Sequence, residues 1–147
     1  MTRALSRISI SYSRDRERVF IDSFSLENLN ALDGSTSGQD SISFYCRFRL
    51  LPERRSLFQT KIVRLTRLQS NCLFDAEQLN EFDLSFDQLN NHAIEILLYR
   101  SGTLKPLYKD VRLATVKYDL HELSESDRVH MRTFFDECDP PSSVQVT

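Results

Sequence analysis

The sequence predicts an all-β protein built as an antiparallel sandwich. Short stretches in which apolar and polar residues alternate recur along the chain between turn-like clusters, and no long segment has the 3.6-residue period of a helix. Phe and Tyr are plentiful, Gly is scarce and Trp is absent, a composition that suits strands. At 147 residues, the chain is expected to form one domain around one core.

The first two strands are expected to form a hairpin. Residues 7–13 place Ile8, Ile10 and Tyr12 on one face, and residues 18–25 follow across a charged turn. This alternation predicts that one side of the hairpin packs on a core.

The third strand, residues 42–50, has the most regular alternation. One face carries Ile42, Phe44, Cys46, Phe48 and Leu50, and the other carries Ser43, Tyr45, Arg47 and Arg49. The strand therefore presents arginines on the face that points away from the predicted core.

Further strands are predicted over residues 58–65, 80–86, 93–99 and 110–116. Residues 123–137 are compatible with a short helix opened by Ser124, with a final strand, or with both. The Gly- and Ser-rich residues 30–41 are expected to form a loop. The predicted domain spans residues 7–137, between an extension at 1–6 and a disordered tail at 138–147.

Bulk composition and cysteine usage indicate a cytoplasmic protein. No apolar run approaches the roughly 20 residues that cross a bilayer, and the amino-terminal segment lacks the apolar core of a secretory signal. Cys46, Cys72 and Cys138 are odd in number and lack C-x-x-C spacing, so we expect free thiols in a reducing compartment.

Charge is polarised along the chain although the net charge is only −2. A basic patch consists of Arg47, Arg49, Arg54, Arg55, Lys61, Arg64 and Arg67, with Glu53 as the acid among them. The following residues are acidic: Asp75, Glu77, Glu81, Asp83 and Asp87. The basic patch is interpreted either as an anion-binding face or as a solvated face whose charges pair with the acidic segment.

Three segments together resemble the C2 domain, in particular its synaptotagmin-like branch. Residues 18–33 contain a strand followed by E-x-L-x-A-L-D; residues 45–64 contain a tyrosine, an alternating strand, L-L-P, a basic turn and a Thr-Lys pair; residues 82–99 end in a leucine-tyrosine pair. The resemblance implies an eight-stranded antiparallel C2-type sandwich. In that family, loops at one end often bind calcium and anionic lipid, and many members occur as tandem pairs in trafficking proteins.

The resemblance also implies a degenerate calcium site in the apical loops. The relevant positions are Asp33, Asp40, Ser43, Arg100 and Gly102. Arg100 and Gly102 stand where calcium-binding members have aspartates, and calcium needs about six to eight oxygen ligands. We therefore expect no metal. Arg100 would either pair with Asp33 or Asp40 and bridge the loops, or contact lipid phosphate.

The family uses a lysine-rich patch on the corresponding strands to bind phosphoinositides, acidic proteins and other polyanions. Arg47, Arg49 and Lys61 match basic positions of that region. The family's consecutive lysines are replaced by SLFQTK, in which Lys61 is the cation.

No catalytic motif is present, and His92, His121 and His130 fit no metal spacing, so we expect neither an enzyme nor a cofactor. Nothing beyond the basic patch favours nucleic acid as a partner. The sequence predicts a calcium-independent adaptor that binds a trafficking or scaffold protein with an acidic surface. The alternatives are a peripheral membrane module that reads anionic phospholipid, and a domain that only stabilises a larger assembly.

Overall fold

The computed structural model describes residues 3–32, 41–66, 71–74, 81–102 and 110–137. Within these ranges the strands are β1 Leu5–Ser13, β2 Arg18–Glu27, β3 Ser41–Leu51, β4 Arg55–Gln59, β5 Val63–Thr66, β6 Cys72–Phe74, β7 Glu81–Asp83, β8 Ala93–Arg100, β9 Val111–Asp119, β10 Arg128–Phe134 and β11 Asp136–Glu137. Three short 3₁₀ helices are η1 Leu29–Ala31, η2 Phe86–Asn91 and η3 His121–Ser124. No helix in these ranges has the length and apolar character needed to span a membrane.

The strands form two antiparallel sheets, which confirms the predicted sandwich. The first sheet has the order β10-β1-β2-β6, with β7 also paired to β2. The second has the order β11-β9-β8-β3-β4, with β5 also paired to β3. Because β4 and β5 share one edge of β3, and β6 and β7 share one edge of β2, the short strands occupy positions consistent with an eight-stranded sandwich.

The core lies between the sheets and follows the predicted alternation. Ile8, Ile10 and Tyr12 of β1 are buried, as are alternate residues of β3 and β8. Phe24 of the first sheet meets Phe48 of the second edge to face, with ring centroids 5.1 Å apart. Burial of each such side chain contributes about 1.5–3 kcal/mol to folding, so these faces hold the two sheets together.

The strand predicted over residues 58–65 is interrupted at residues 60–62. Thr60 is buried, its Oγ1 accepts a hydrogen bond from the Cys46 N–H at 2.9 Å, and its own N–H donates to the Cys46 carbonyl at 2.9 Å. The hydroxyl takes the place of a ladder partner, so the chain leaves the regular pairing here and resumes it at Val63.

The segment predicted as a strand over residues 80–86 pairs only at Glu81–Asp83. Ser85 and Gln88 then form a capping box, with the Ser85 N–H 3.2 Å from Gln88 Oε1, and this box begins η2. Helix formation ends the strand earlier than alternation alone predicted.

Residues 123–137 contain both predicted elements, but the helix was placed wrongly. Ser124 ends η3 instead of opening it, and its Oγ donates to the His121 carbonyl at 2.6 Å. The final strand β10 then pairs with β1.

Cys46 and Cys72 are buried free thiols, and burial raises the pKa of Cys46 well above its usual range. Cys138, most of the loop predicted at residues 30–41, and the predicted tail lie outside the described residues.

Candidate functional site

The candidate ligand-binding surface is the outer face of the second sheet, where β3, β8 and β9 run side by side. Register places Tyr45 opposite Tyr99, Arg47 opposite Leu97, and Arg49 opposite Glu95. We call this surface the outer face. It contains the β3 arginines that sequence alternation directed away from the core.

Arg47 occupies the centre of the outer face and is supported by uncharged groups. Its guanidinium lies 5.1 Å from the ring centroid of Tyr99 and 5.9 Å from that of Tyr45. The two rings are stacked, with centroids 5.2 Å apart and planes 7° from parallel. Arg47 Nε also donates to Gln59 Oε1 at 3.0 Å. These contacts orient the exposed guanidinium without compensating its formal charge by a carboxylate of the described residues.

Arg49 is placed differently from Arg47. Its Nε donates to Glu95 Oε1 at 2.9 Å, and Nη2 contacts the same oxygen. The two side chains are only 29% and 22% exposed, so the carboxylate on β8 neutralises this arginine within the sheet. Although sequence analysis placed both arginines on one face, of these two only Arg47 keeps its charge directed outward.

The remaining basic residues lie along the turn and edge beside β3. Arg54 and Arg55 are exposed at the β3–β4 turn, where Arg55 Nη2 donates to the Asp83 carbonyl oxygen at 3.2 Å. Lys61 and Arg64 are exposed on the β4–β5 edge. Arg67 lies outside the described residues.

The acidic segment pairs in part with a different cation. Arg18 of β2 contacts Glu81 at 2.8 Å and Asp83 at 3.1 Å, on the edge of the first sheet. The Glu81 and Asp83 carboxylates thus meet Arg18, whereas Arg55 of the basic patch meets the Asp83 carbonyl. Asp75 and Glu77 lie outside the described residues.

The apical end is built around Asp110, which precedes β9. Its Oδ1 accepts a hydrogen bond from the Gly102 N–H at 2.8 Å, and its Oδ2 accepts one from the Tyr45 hydroxyl at 2.5 Å. Burial, and then the hydrogen bond to Asp110, raise the pKa of Tyr45 to about 12. Both carboxylate oxygens of Asp110 are therefore used by donors of the protein itself.

The other apical positions are ordered by the strands. The Ser43 carbonyl accepts from the Ser101 N–H at 2.8 Å, which joins the start of β3 to the end of β8. Arg100 lies opposite Phe44 and Val111 in the sheet. Asp33 and Asp40 lie outside the described residues. Among the described residues, no group of three or more His, Cys, Asp or Glu side chains is placed to hold a metal ion.

Sequence analysis missed the partners that define these environments, namely Gln59, Glu95, Tyr99 and Asp110. Alternation on β8 already directed Glu95 and Tyr99 to the face opposite Ile94 and Ile96. What it lacked was the register between β3 and β8, which sets each cross-strand pair.

Comparisons with known proteins place this sandwich in a structural class. Neither the models of known protein families nor the curated protein sequences give a match to this chain. Among solved structures, the third C2 domain of KIAA1228 protein superposes with a TM-score of 0.68 and 21% identity, covering 95% of this chain and 92% of that one. A C2 domain of RIM from Drosophila, domain A, gives 0.64 and 16%, covering 92% and 100%. The first C2 domain of human synaptotagmin XIII gives 0.65 and 8%, covering 95% and 91%.

The chain therefore has the fold of a C2 domain, a β-sandwich module that binds proteins or phospholipids. At these identities the likeness concerns the fold, and the particular ligand has to be argued from the outer face and the apical end.

Proposed function

We propose that this chain is a non-catalytic C2 binding module that docks, without calcium, onto the acidic surface of a trafficking or scaffold protein. The single observation that carries the proposal is the setting of Arg47. A guanidinium that rests on stacked tyrosines and donates to a neutral amide is already oriented, so a carboxylate of a partner gains a charge-assisted bond at a low ordering cost.

Independence from calcium is supported by the apical contacts. Asp110 gives both carboxylate oxygens to Tyr45 and Gly102. Calcium would have to displace these donors, and Arg100 stands at the end of the neighbouring strand as a fixed positive charge. The trafficking setting rests on the resemblance of residues 18–33, 45–64 and 82–99 to the synaptotagmin-like branch.

The test is charge reversal at Arg47 with a matched control on the opposite sheet. Binding of a labelled polyglutamate peptide is measured by fluorescence anisotropy for the unmodified chain, Arg47→Glu and Arg132→Glu. Arg132 is exposed on β10 of the first sheet. We expect Arg47→Glu to weaken binding about tenfold, and Arg132→Glu to change it less than about twofold, because of the two only Arg47 lies on the outer face. Equal losses in the two variants would contradict the proposal.

Anionic membrane is the second candidate ligand, and one observation favours it. Ile62 is 55% exposed and follows Lys61 on the β4–β5 edge, close to Arg64. An exposed apolar side chain among cations suits the interface of an anionic bilayer, where each basic residue contributes about 1 kcal/mol. Sedimentation with phosphatidylserine and phosphoinositide vesicles in the presence of a chelator tests this candidate. Binding that is lost in Ile62→Ser and Lys61→Gln, but kept in Arg132→Gln, would favour the membrane.

A further inference from the structure

A polar cleft of about 670 Å³ lies at the end of the second sheet that is remote from the apical loops. The floor is the last row of the outer face, in which Ala93 pairs with Leu51 on one side and with Asp119 on the other. The β3–β4 turn supplies one wall, with Pro52 and Arg54, and the residues around the end of η2 supply another. Lys117 of β9 also lines the cleft, which thus continues the outer face beyond the Arg49–Glu95 pair.

The side-chain amides in the cleft are arranged as hydrogen-bond donors. His92 Nδ1 lies 2.6 Å from Asn91 Oδ1 and 2.8 Å from the Gln88 carbonyl oxygen. His121 Nδ1 lies 2.8 Å from Asn90 Oδ1. Since each carboxamide oxygen faces a histidine ring, the NH₂ groups of Asn90 and Asn91 remain to donate to a ligand.

The histidines themselves are engaged on their other nitrogens. His92 Nε2 lies 3.2 Å from Glu53 Oε1, and His121 Nε2 lies 3.9 Å from Glu125 Oε1. Both rings therefore position the asparagines, and the side chains that can hold an anion are the two amides together with Arg54 and Lys117.

Charge in the cleft matches a singly charged anion. Asp119 also lines it and lies 3.8 Å from Lys117 Nζ, with both side chains well exposed. Such a pair contributes only about 0–1 kcal/mol, so Lys117 can exchange Asp119 for a ligand at little cost. Arg54 and Lys117 against Asp119 leave one positive charge, which a carboxylate satisfies. A phosphate near charge −2 would be repelled by Asp119.

We propose that this cleft binds a carboxylate side chain of an extended acidic peptide segment whose other acidic residue meets Arg47. The inference deepens the proposed function and rests on it, since the same outer face would receive the partner. Arg47 and Leu51 are four residues apart on β3, or about 13 Å at the rise of a strand. A partner strand with acids four residues apart therefore reaches both positions, and the cleft volume accommodates several residues of such a peptide.

Nuclear magnetic resonance of the ¹⁵N-labelled chain tests this site directly through its side-chain amides. The probe is a seven-residue serine peptide with glutamates at its second and sixth positions, and the control peptides replace one or both glutamates by glutamine. We expect saturable shifts of the Asn90 and Asn91 NH₂ signals with the probe, and shifts at least about threefold smaller with the double-glutamine peptide at equal concentration.

Variants separate the cleft from the rest of the outer face. Arg54→Gln and Lys117→Gln are each expected to weaken probe binding about threefold, whereas Arg132→Gln changes it little. Unshifted Asn90 and Asn91 signals, or unchanged affinity in both cleft variants, would overturn the inference. If Arg47→Glu still abolished binding in that case, the proposed function would stand and only the cleft site would fail.

The competing ligand source is a phosphorylated headgroup. Soluble inositol 4,5-bisphosphate is added to the peptide complex as a competitor. We expect it to displace the probe no better than an equal charge of polyglutamate. Tighter binding of the headgroup, accompanied by the same Asn90 and Asn91 shifts, would contradict a peptide as the occupant of the cleft.

Discussion

The Tyr45 hydroxyl donates to Oδ2 of Asp110 at 2.5 Å, and through this bond the outer face is attached to the base of the third apical loop. The same carboxylate holds the Gly102 N–H. One acidic residue thus connects the strand that carries Arg47 with the loop that follows β8. In this chain the connection is made by protein donors, so neither region needs an ion for its local order.

Removing the Tyr45 hydroxyl is expected to destabilise the domain. Tyr45→Phe keeps the ring that stacks on Tyr99 but leaves Asp110 without one donor. We expect the free energy of unfolding in urea to fall by about 1–2 kcal/mol, as for a hydrogen bond to a charged group. Tyr99→Phe is the matched control and is expected to change stability by less than about 0.5 kcal/mol. A Tyr45→Phe variant as stable as the unmodified chain would contradict the role given to this bond.

Tyr45 should also titrate late, since its pKa is raised from 10.0 to about 12. The neutral phenol is the form that the fold favours, so its contribution to stability is complete below pH 10 and is lost as pH rises from about 10 through about 12. Ultraviolet absorbance titration is expected to show a phenolate transition near pH 12 that Tyr45→Phe removes. If all five tyrosines ionised together near pH 10, the buried bond to Asp110 would be refuted.

Glu95→Gln should have opposite effects on stability and on anion binding. Arg49 loses its charged partner while only 29% of its side chain is exposed. We expect a loss of about 1 kcal/mol in the free energy of unfolding, since the pair is partly solvated. The released guanidinium then adds a positive charge beside Arg47, and affinity for polyglutamate should rise about threefold.

The control for that variant is Glu122→Gln, which removes an exposed carboxylate from η3. Affinity that rises equally in the two variants would mean that net charge alone governs binding, and that the Arg49–Glu95 pair has no local part in it.

Thr60→Val tests the interruption of the β4–β5 edge. Valine has nearly the same shape but leaves the buried Cys46 N–H without its Oγ1 acceptor. We expect the free energy of unfolding to fall by about 1–3 kcal/mol, measured by urea denaturation. Thr115→Val on the outer face of β9 is expected to be nearly neutral. A neutral Thr60→Val would show that the hydroxyl does not hold this edge.

The sandwich was predictable because alternation with a period of two decides which side chains are buried. Ile8, Phe48 and Ile96 all lie in the core, as their strand positions required. Local chemistry that acts against alternation was harder to predict. Thr60 reads as one more polar strand residue, and its inward turn depends on the Cys46 amide, which lies far away in sequence.

The basic patch was predictable as composition but not as a site. Arg47 and Arg49 are equivalent in the sequence pattern, since both point outward from β3. Register places one over Tyr99 and the other against Glu95, so one charge is available and the other is neutralised. That distinction depends on the β3–β8 pairing, which a single sequence does not specify.

The central claim, recognition of anions by the outer face without calcium, is tested most directly by calorimetric titration of calcium into the chain. The titration is followed by measurement of polyglutamate affinity in millimolar calcium and in chelator. The account predicts no saturable heat from calcium and the same peptide affinity under both conditions. Saturable calcium binding together with peptide affinity that appears only in calcium would contradict it.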